Sequence, residues 1–83
     1  MKKQFRWDSE KNEILQKHRG VCFEMVVEEI LGGRSLDIVN PNASYLEQRM
    51  FLVHLNNYPH LVPFEESAEM IRLITIIPSR KYK

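Results

Sequence analysis

RMFLVHLNNYPHLVPF, residues 49–64, is the stretch that decides the fold. Two apolar runs flank Asn56-Asn57, and asparagine tolerates the positive φ angles that a two-residue hairpin turn requires. We therefore predict two antiparallel strands, over 49–55 and 58–64. Side chains alternate between the faces of a strand, so both faces of this hairpin are largely apolar. The face that we expect to contain the candidate polar residues holds Arg49, Phe51, Val53, Leu55, Tyr58, His60, Val62 and Phe64.

Two helices are predicted ahead of the hairpin. Asp8 is a good N-cap for a helix that runs to about His18, and Gly20 supplies its stop. A second helix follows Cys22, which is a poor cap compared with serine or aspartate. Its apolar residues have the i, i+3, i+4, i+7, i+8 spacing of one buried stripe: Phe23, Val26, Val27, Ile30 and Leu31.

The remaining segments predict short strands. Residues 5–7 alternate, residues 36–38 alternate before the break at 40–42, and residues 70–77 form an isoleucine-rich last strand. Pro59 and Pro63 cannot donate to a ladder, which predicts a bulge or a partly unpaired side. We expect an α+β fold in which two N-terminal helices pack on a three- to four-stranded antiparallel sheet, as a single domain over residues 1–83.

The charges are distributed unevenly. The chain has 12 Lys+Arg and 11 Asp+Glu, yet residues 1–20, 21–71 and 72–83 carry net charges of +3, −6 and +4. If the two ends converge in space, they form a patch suited to phosphates, and otherwise they act as solubilising tails. The single cysteine excludes an internal disulfide, and the apolar runs fall far short of a membrane span. A soluble, cytoplasmic protein that does not enter a membrane is expected.

Candidate chemistry is confined to cations and one histidine. No P-loop, dinucleotide glycine signature or metal-ligand spacing occurs, so we expect neither a cofactor nor a metal. Arginine forks hold phosphate oxygens well, which makes Arg49 and Arg80 candidates, with Lys81 and Lys11 nearby in the chain or on the first helix. Arg49 could equally be paired with a carboxylate such as that of Glu47. His60 shares a predicted face with Arg49 and is a candidate base.

Several short motifs resemble those of BrnT-type toxins. Residues 5–8 (FRWD) with Lys11, then 17–21 (KHRGV) and 23–24 (FE), are similar to the family's opening F-x-W-D, K, K-H-G-V and F-E pattern. Residues 47–49 (EQR) resemble its E-x-R, and residues 71–74 (IRLI) leading to 79–81 (SRK) resemble its closing R-I-I-S-x-R-K. The resemblance spans nearly the whole chain.

The resemblance implies a RelE-like fold and a bacterial toxin of a type II toxin–antitoxin pair that cleaves RNA and arrests translation. By position, Arg49 and Arg80 would bind phosphate and stabilise the transition state, and Lys81 and Lys11 would support RNA binding. Glu47 and His60 are both candidates for the general base. The expected partners are RNA and a cognate antitoxin protein, and a homodimer and a toxin–antitoxin hetero-oligomer both remain open.

Two hypotheses follow. The first is an endoribonuclease that uses metal-independent attack by the 2'-hydroxyl, which is already adjacent to its phosphate. The alternative is a non-catalytic protein-binding domain of the same fold. The enzyme needs Arg49 and Arg80 on one exposed surface with a proton acceptor nearby, whereas the binding domain needs an apolar patch.

Overall fold

The computed structural model of the protein describes residues 3–39 and 49–80. Within these ranges the chain is of the α+β class with two helices, as the sequence predicts. The elements in chain order are β1 (Gln4–Arg6), α1 (Ser9–Arg19), α2 (Phe23–Leu31), β2 (Leu36–Val39), β3 (Arg49–Leu55), β4 (Tyr58–Glu66), β5 (Met70–Leu73) and β6 (Ile77–Pro78). The predicted break at 40–42 lies outside the described residues.

The caps of α1 are those predicted from the sequence. The side chain of Asp8 accepts hydrogen bonds from the backbone N–H groups of Glu10 and Lys11, and so satisfies donors that the first helical turn leaves unpaired. Gly20 ends the helix at φ 69°, a left-handed conformation that glycine adopts without steric cost. Aspartate and glycine therefore fix both ends of α1.

The N-terminus of α2 is capped from outside the helix. Cys22 occupies the cap position, but its side chain makes no capping hydrogen bond. The buried Asn12 of α1 instead accepts from the Phe23 N–H at 2.7 Å and donates to the Glu24 carboxylate at 2.8 Å. One asparagine thus fastens the first helix to the start of the second.

The sheet is larger than predicted, and it is mixed. Its order is β1-β5-β4-β3-β2, with β6 also paired to β4, which makes six strands in the described residues rather than three or four. β1 lies parallel to β5, with Phe5 opposite Ile71, so the prediction of an all-antiparallel sheet is wrong. The two helices that follow β1 carry the chain from one edge of the sheet to β2 at the other edge. β1 remains beside β5, and the two strands run in the same direction.

The hairpin has the predicted turn and register. Asn56 and Asn57 have φ angles of 54° and 63°, as a two-residue turn of this kind requires. Arg49 lies opposite Phe64, and Leu55 lies opposite Tyr58. Seven cross-strand pairs follow from this one turn.

The predicted last strand over 70–77 is interrupted. Phe64 pairs with Leu73, while Leu61 pairs with Ile77, so residues 74–76 lie opposite only 62–63. The extra residue lies in the last strand, whereas the prolines predicted a bulge or a partly unpaired side in their own strand, which keeps an unbroken register with β3. Pro63 lies opposite the extra residue; it has no N–H, and its carbonyl accepts from the Ile74 N–H at 2.9 Å. The extra residue turns both Leu73 and Ile76 into the core.

The core lies between the helices and one face of the sheet. Residues of both helices pack against the face of β3 and β4 that carries Phe51, Val53 and Val62, and Phe51 and Phe64 stack at 4.1 Å between ring centroids. Trp7 stacks on Phe23 of α2 at 5.8 Å between ring centroids. The buried members of this core are Leu15, Val21, Phe23, Val26, Phe51, Val53, Leu55, Val62, Phe64, Leu73 and Ile76.

Within the described ranges, neither helix is long and apolar enough to cross a membrane.

Candidate nucleic-acid interface

The turn of the hairpin lies against the end of α1. The Asn56 side-chain amide donates to the carbonyl of Gly20 at 3.3 Å, although the two residues are 36 positions apart in the chain. The last turn of α1 therefore adjoins residues 54–60. That turn consists of Lys17, His18 and Arg19, all of which are exposed.

The bulged last strand brings Arg80 to the same end of the hairpin. Pro78 lies opposite His60, and the Ser79 N–H donates to the Pro59 carbonyl at 3.0 Å. Arg80 follows directly and is exposed. Four residues distant in sequence thus lie at the turn end of the hairpin, which we call the basic end: Lys17, His18, Arg19 and Arg80.

The basic end has no neutralising acid in its own segments. Residues 17–20, 54–60 and 77–80 contain no aspartate or glutamate. The chain's other two histidines, His54 and His60, lie on the strand ends beside the turn. A cluster of cations whose own segments contain no carboxylate has the charge that phosphate groups require, and Glu13, one helical turn before Lys17, is the acid nearest to it on α1.

His60 lies beside this surface with a defined tautomer. The side chain is 8% exposed, and its Nδ1 lies 2.8 Å from the carbonyl oxygen of Tyr58. A carbonyl can only accept, so Nδ1 donates, and in the neutral ring Nε2 keeps the lone pair. The Tyr58 ring packs edge-on against the imidazole at 5.8 Å between centroids. The ring is therefore oriented so that Nε2 is the atom able to take a proton.

Arg49 has a different environment. Its guanidinium forms ion pairs with both Asp37 and Glu66, and it lies 5.1 Å from the ring centre of Phe64. The hydrogen bonds that Arg49 donates to Asp37 are the main cause that raises the pKa of Arg49 above its ordinary value, with a smaller contribution from Glu66. Lys3 also pairs with Glu66. We call Lys3, Asp37, Arg49 and Glu66 the paired cluster; its two cations and two anions cancel.

Arg49 and Arg80 are not brought together. Arg49 lies opposite Phe64, whereas Arg80 follows the residue pair Pro78–His60. Phe64 and His60 are four residues apart on β4, which corresponds to about 13 Å along the strand. Arg80 lies beyond His60 in the direction away from Arg49, so the two arginines occupy opposite ends of the sheet.

The other predicted site residues do not join the basic end within the described structure. Lys11 is exposed in the first turn of α1, six residues or about 9 Å along the helix from Lys17. Glu47 and Lys81 lie outside the described residues. The described ranges also hold no group of three or more histidine, cysteine, aspartate or glutamate side chains that could bind a metal ion.

Sequence reasoning missed Lys17 and Arg19 as site residues. Both lie in the quoted motif of residues 17–21, but nothing in the motif shows that they lie near Arg80. The contact that joins them, Asn56 to Gly20, links an asparagine of the turn to the glycine that ends α1. The concentration of basic residues in the last turn of α1 was the signal that could have identified them.

Comparison with known proteins does not extend these observations. No family model matches the chain, and no curated protein or solved structure is significantly similar to it.

Proposed function

We propose that this protein is a metal-independent endoribonuclease of the RelE-like class, a toxin of a type II toxin–antitoxin system, and that it binds RNA at the basic end. The observation that carries the proposal is that the segments of Lys17, Arg19 and Arg80 adjoin the same end of the hairpin and contain no carboxylates. The sequence resemblance to BrnT-type toxins supports the same conclusion, and the α+β architecture agrees with it.

Binding at the basic end would be electrostatic. Arg80 can hold two non-bridging oxygens of one phosphate with its planar fork, and Lys17 and Arg19 can hold the phosphates on either side. Exposed cations of this kind contact the backbone and not the bases. The binding is therefore expected to be strong at low salt and weakly dependent on RNA sequence.

Cleavage would follow from the arrangement of Arg80 and His60. In the proposed reaction, His60 Nε2 takes the proton of a 2'-hydroxyl, whose oxygen forms a bond to the adjacent phosphorus. The bond from phosphorus to the 5'-oxygen breaks, and that oxygen takes a proton from the solvent. The products are a 2',3'-cyclic phosphate and a 5'-hydroxyl. Arg80 stabilises the charge that develops on the phosphate oxygens.

The paired cluster has no direct part in this proposal. The catalytic role that the resemblance implies for Arg49 would require its guanidinium to leave Asp37 and Glu66, and two carboxylates at that position repel a phosphate. In the proposed enzyme, Arg49 stabilises the far end of the hairpin. Translation arrest and neutralisation by an antitoxin in the cytoplasm belong to the same proposal.

Cleavage of end-labelled RNA in EDTA tests the proposal. The parent protein is compared with Arg80→Ala, His60→Gln and Arg49→Ala, with Arg34→Ala as the matched control. Arg34 is an exposed arginine that pairs with Glu29 at the end of α2. We expect cyclic-phosphate ends from the parent, Arg49→Ala and Arg34→Ala proteins, and strongly reduced cleavage by the other two variants.

The opposite results are equally informative. Loss of cleavage in Arg49→Ala, with a folded protein, would return Arg49 to the catalytic site. Absence of both RNA binding and cleavage in the parent protein would leave the non-catalytic protein-binding domain of the same fold as the function.

A further inference from the structure

The sheet has a second face, turned away from the helices, and this face carries a row of aliphatic side chains. Leu36 lies opposite Leu52, Leu52 opposite Leu61, and Leu61 opposite Ile77, so the row crosses β2, β3, β4 and β6. Leu52 is 7% exposed, but Leu36 and Ile77 at the two ends of the row are 61% and 44% exposed. We call these four residues the aliphatic row.

Two arginines lie on the same face, side by side. Arg6 of β1 is directly opposite Arg72 of β5, and neighbouring strands place their backbones about 4.8 Å apart. Both side chains are exposed. Within the described part of the chain neither forms an ion pair, and Arg6 donates only to the amide oxygen of Gln4, at 2.8 Å. Like charges directly opposite each other are unfavourable in a sheet, and the one described acid opposite the pair, Glu65, faces only Arg72.

We infer that this face docks an amphipathic segment of a partner protein whose apolar stripe covers the aliphatic row and whose carboxylates neutralise Arg6 and Arg72. The charge of the arginine pair defines the chemistry of the partner. Glu65 lies opposite Arg72, and it is four strand residues, about 13 Å, from Leu61 in the aliphatic row. An acidic helical segment of about nine residues spans that distance.

A second copy of this chain does not fit the face as well. Glu65 is the one described carboxylate that the registers place on it, and Glu65 already lies opposite Arg72. A copy facing this surface would bring two further arginines and, as its one described acid on this face, its own Glu65, which lies opposite its own Arg72. The partner must supply carboxylates, and this favours a different protein.

The inference does not depend on the proposed function. The basic end lies where β4 begins, at Tyr58 and His60, whereas Arg72 lies opposite Glu65 near the end of the same strand. Variants in the arginine pair should leave RNA binding unchanged, and variants in the basic end should leave partner docking unchanged.

Two synthetic helical peptides with the same leucine stripe test the inference. One carries glutamates at one end and the other carries lysines at the same positions. Fluorescence anisotropy with the full chain is expected to show binding of the glutamate peptide that is about tenfold tighter than that of the lysine peptide. Leu36→Asp should weaken binding of the glutamate peptide about tenfold, because it removes apolar area from the contact.

Reversing the charge of the arginine pair is the decisive test of the partner's chemistry. The double variant Arg6→Glu, Arg72→Glu should prefer the lysine peptide, a gain of binding that a misfolded protein could not show. Ile14→Asp is the matched control, because Ile14 is a 57% exposed residue of α1, away from this face. Equal binding of both peptides would overturn the inference. So would self-association, measured by sedimentation, that Leu36→Asp abolishes, because the occupant would then be a second copy.

Discussion

The two ends of the β3–β4 hairpin hold arginines in contrasting states. At one end, Arg49 forms ion pairs with Asp37 and Glu66, and Lys3 pairs with Glu66 to complete a neutral cluster. At the other, Arg80 and the basic last turn of α1 both adjoin the turn, and the segments that contain them have no acid. An arginine whose charge is cancelled within the fold contributes to stability, whereas one left without local carboxylates is available for a ligand. The two arginines should therefore respond to substitution in opposite ways.

Removing the basic end should have the largest effect. The triple variant Lys17→Ala, Arg19→Ala, Arg80→Ala is expected to reduce the RNA cleavage rate about 100-fold, with little change in thermal stability because all three side chains are exposed. The slope of log affinity against log salt for single-stranded RNA should fall by about 0.7 for each phosphate that the variant no longer neutralises. An unchanged salt dependence would show that RNA binds elsewhere.

Removing Asn12, the asparagine that joins the two helices, should have the second-largest effect. Asn12→Ala leaves the Phe23 N–H and the Glu24 carboxylate without their partner, and we expect a loss of about 2 kcal/mol in the free energy of unfolding. Urea denaturation measures the change. Gln16→Ala, an exposed change on the same helix, is the control. Equal stability of both variants would mean that Asn12 does not fasten α2.

Arg49→Ala should destabilise the fold by about 1 kcal/mol while leaving RNA cleavage intact. The side chain is partly exposed, so solvent screening reduces the value of its ion pairs, and the contact over Phe64 adds a small contribution. Denaturation of Arg49→Ala and Arg80→Ala under the same conditions compares their free energies of unfolding. If Arg80→Ala proves the more destabilising of the two, the distinction between the ends fails.

The smallest expected effect is the pH response of the paired cluster. The hydrogen bond from Lys3, followed by that from Arg49, lowers the pKa of Glu66 below its ordinary value of 4.5. A carboxyl with a depressed pKa in the folded state contributes stability above its unfolded value, and this contribution is lost as the pH falls through the folded value. Glu66→Gln should therefore flatten the decline of stability below about pH 4.5. Glu65→Gln is the matched control, and an equally flattened curve from it would contradict this assignment.

Much of the fold follows from short local signals. Asp8 and Gly20 bound the first helix, and Asn56-Asn57 sets the turn that fixes the hairpin register. The parallel position of β1 and the division of the last strand were not predictable in the same way. The position of β1 depends on where the helices place β2 relative to β1. The division of the last strand depends on two conditions at once: Pro63 has no N–H to donate, and both Leu73 and Ile76 lie in the core.

The candidate site was only partly predictable, for a related reason. Arg80 and His60 were identified as chemically suitable, and the charge distribution places Arg49 in the acidic middle of the sequence and Arg80 in its basic last block. The sequence does not show which groups contact each arginine. Strand pairing brings Asp37 and Glu66 to Arg49, and the contact of Asn56 with Gly20 brings the last turn of α1 to the end of the hairpin where Arg80 lies. The type of a side chain indicates which groups it can bind. The packing of residues that are distant in sequence decides whether that side chain is already paired within the fold.

The parallel pairing of β1 with β5 has a consequence for synthesis on the ribosome. Gln4 pairs with Met70, so the first strand to emerge has its partner among the later residues of the described chain. The helices and the hairpin are local and can form early, but the edge of the sheet at β1 must wait. A nascent chain would therefore expose Phe5 and the inward face of β1 until β5 has been synthesised, and this is the stage at which a chaperone would be needed most.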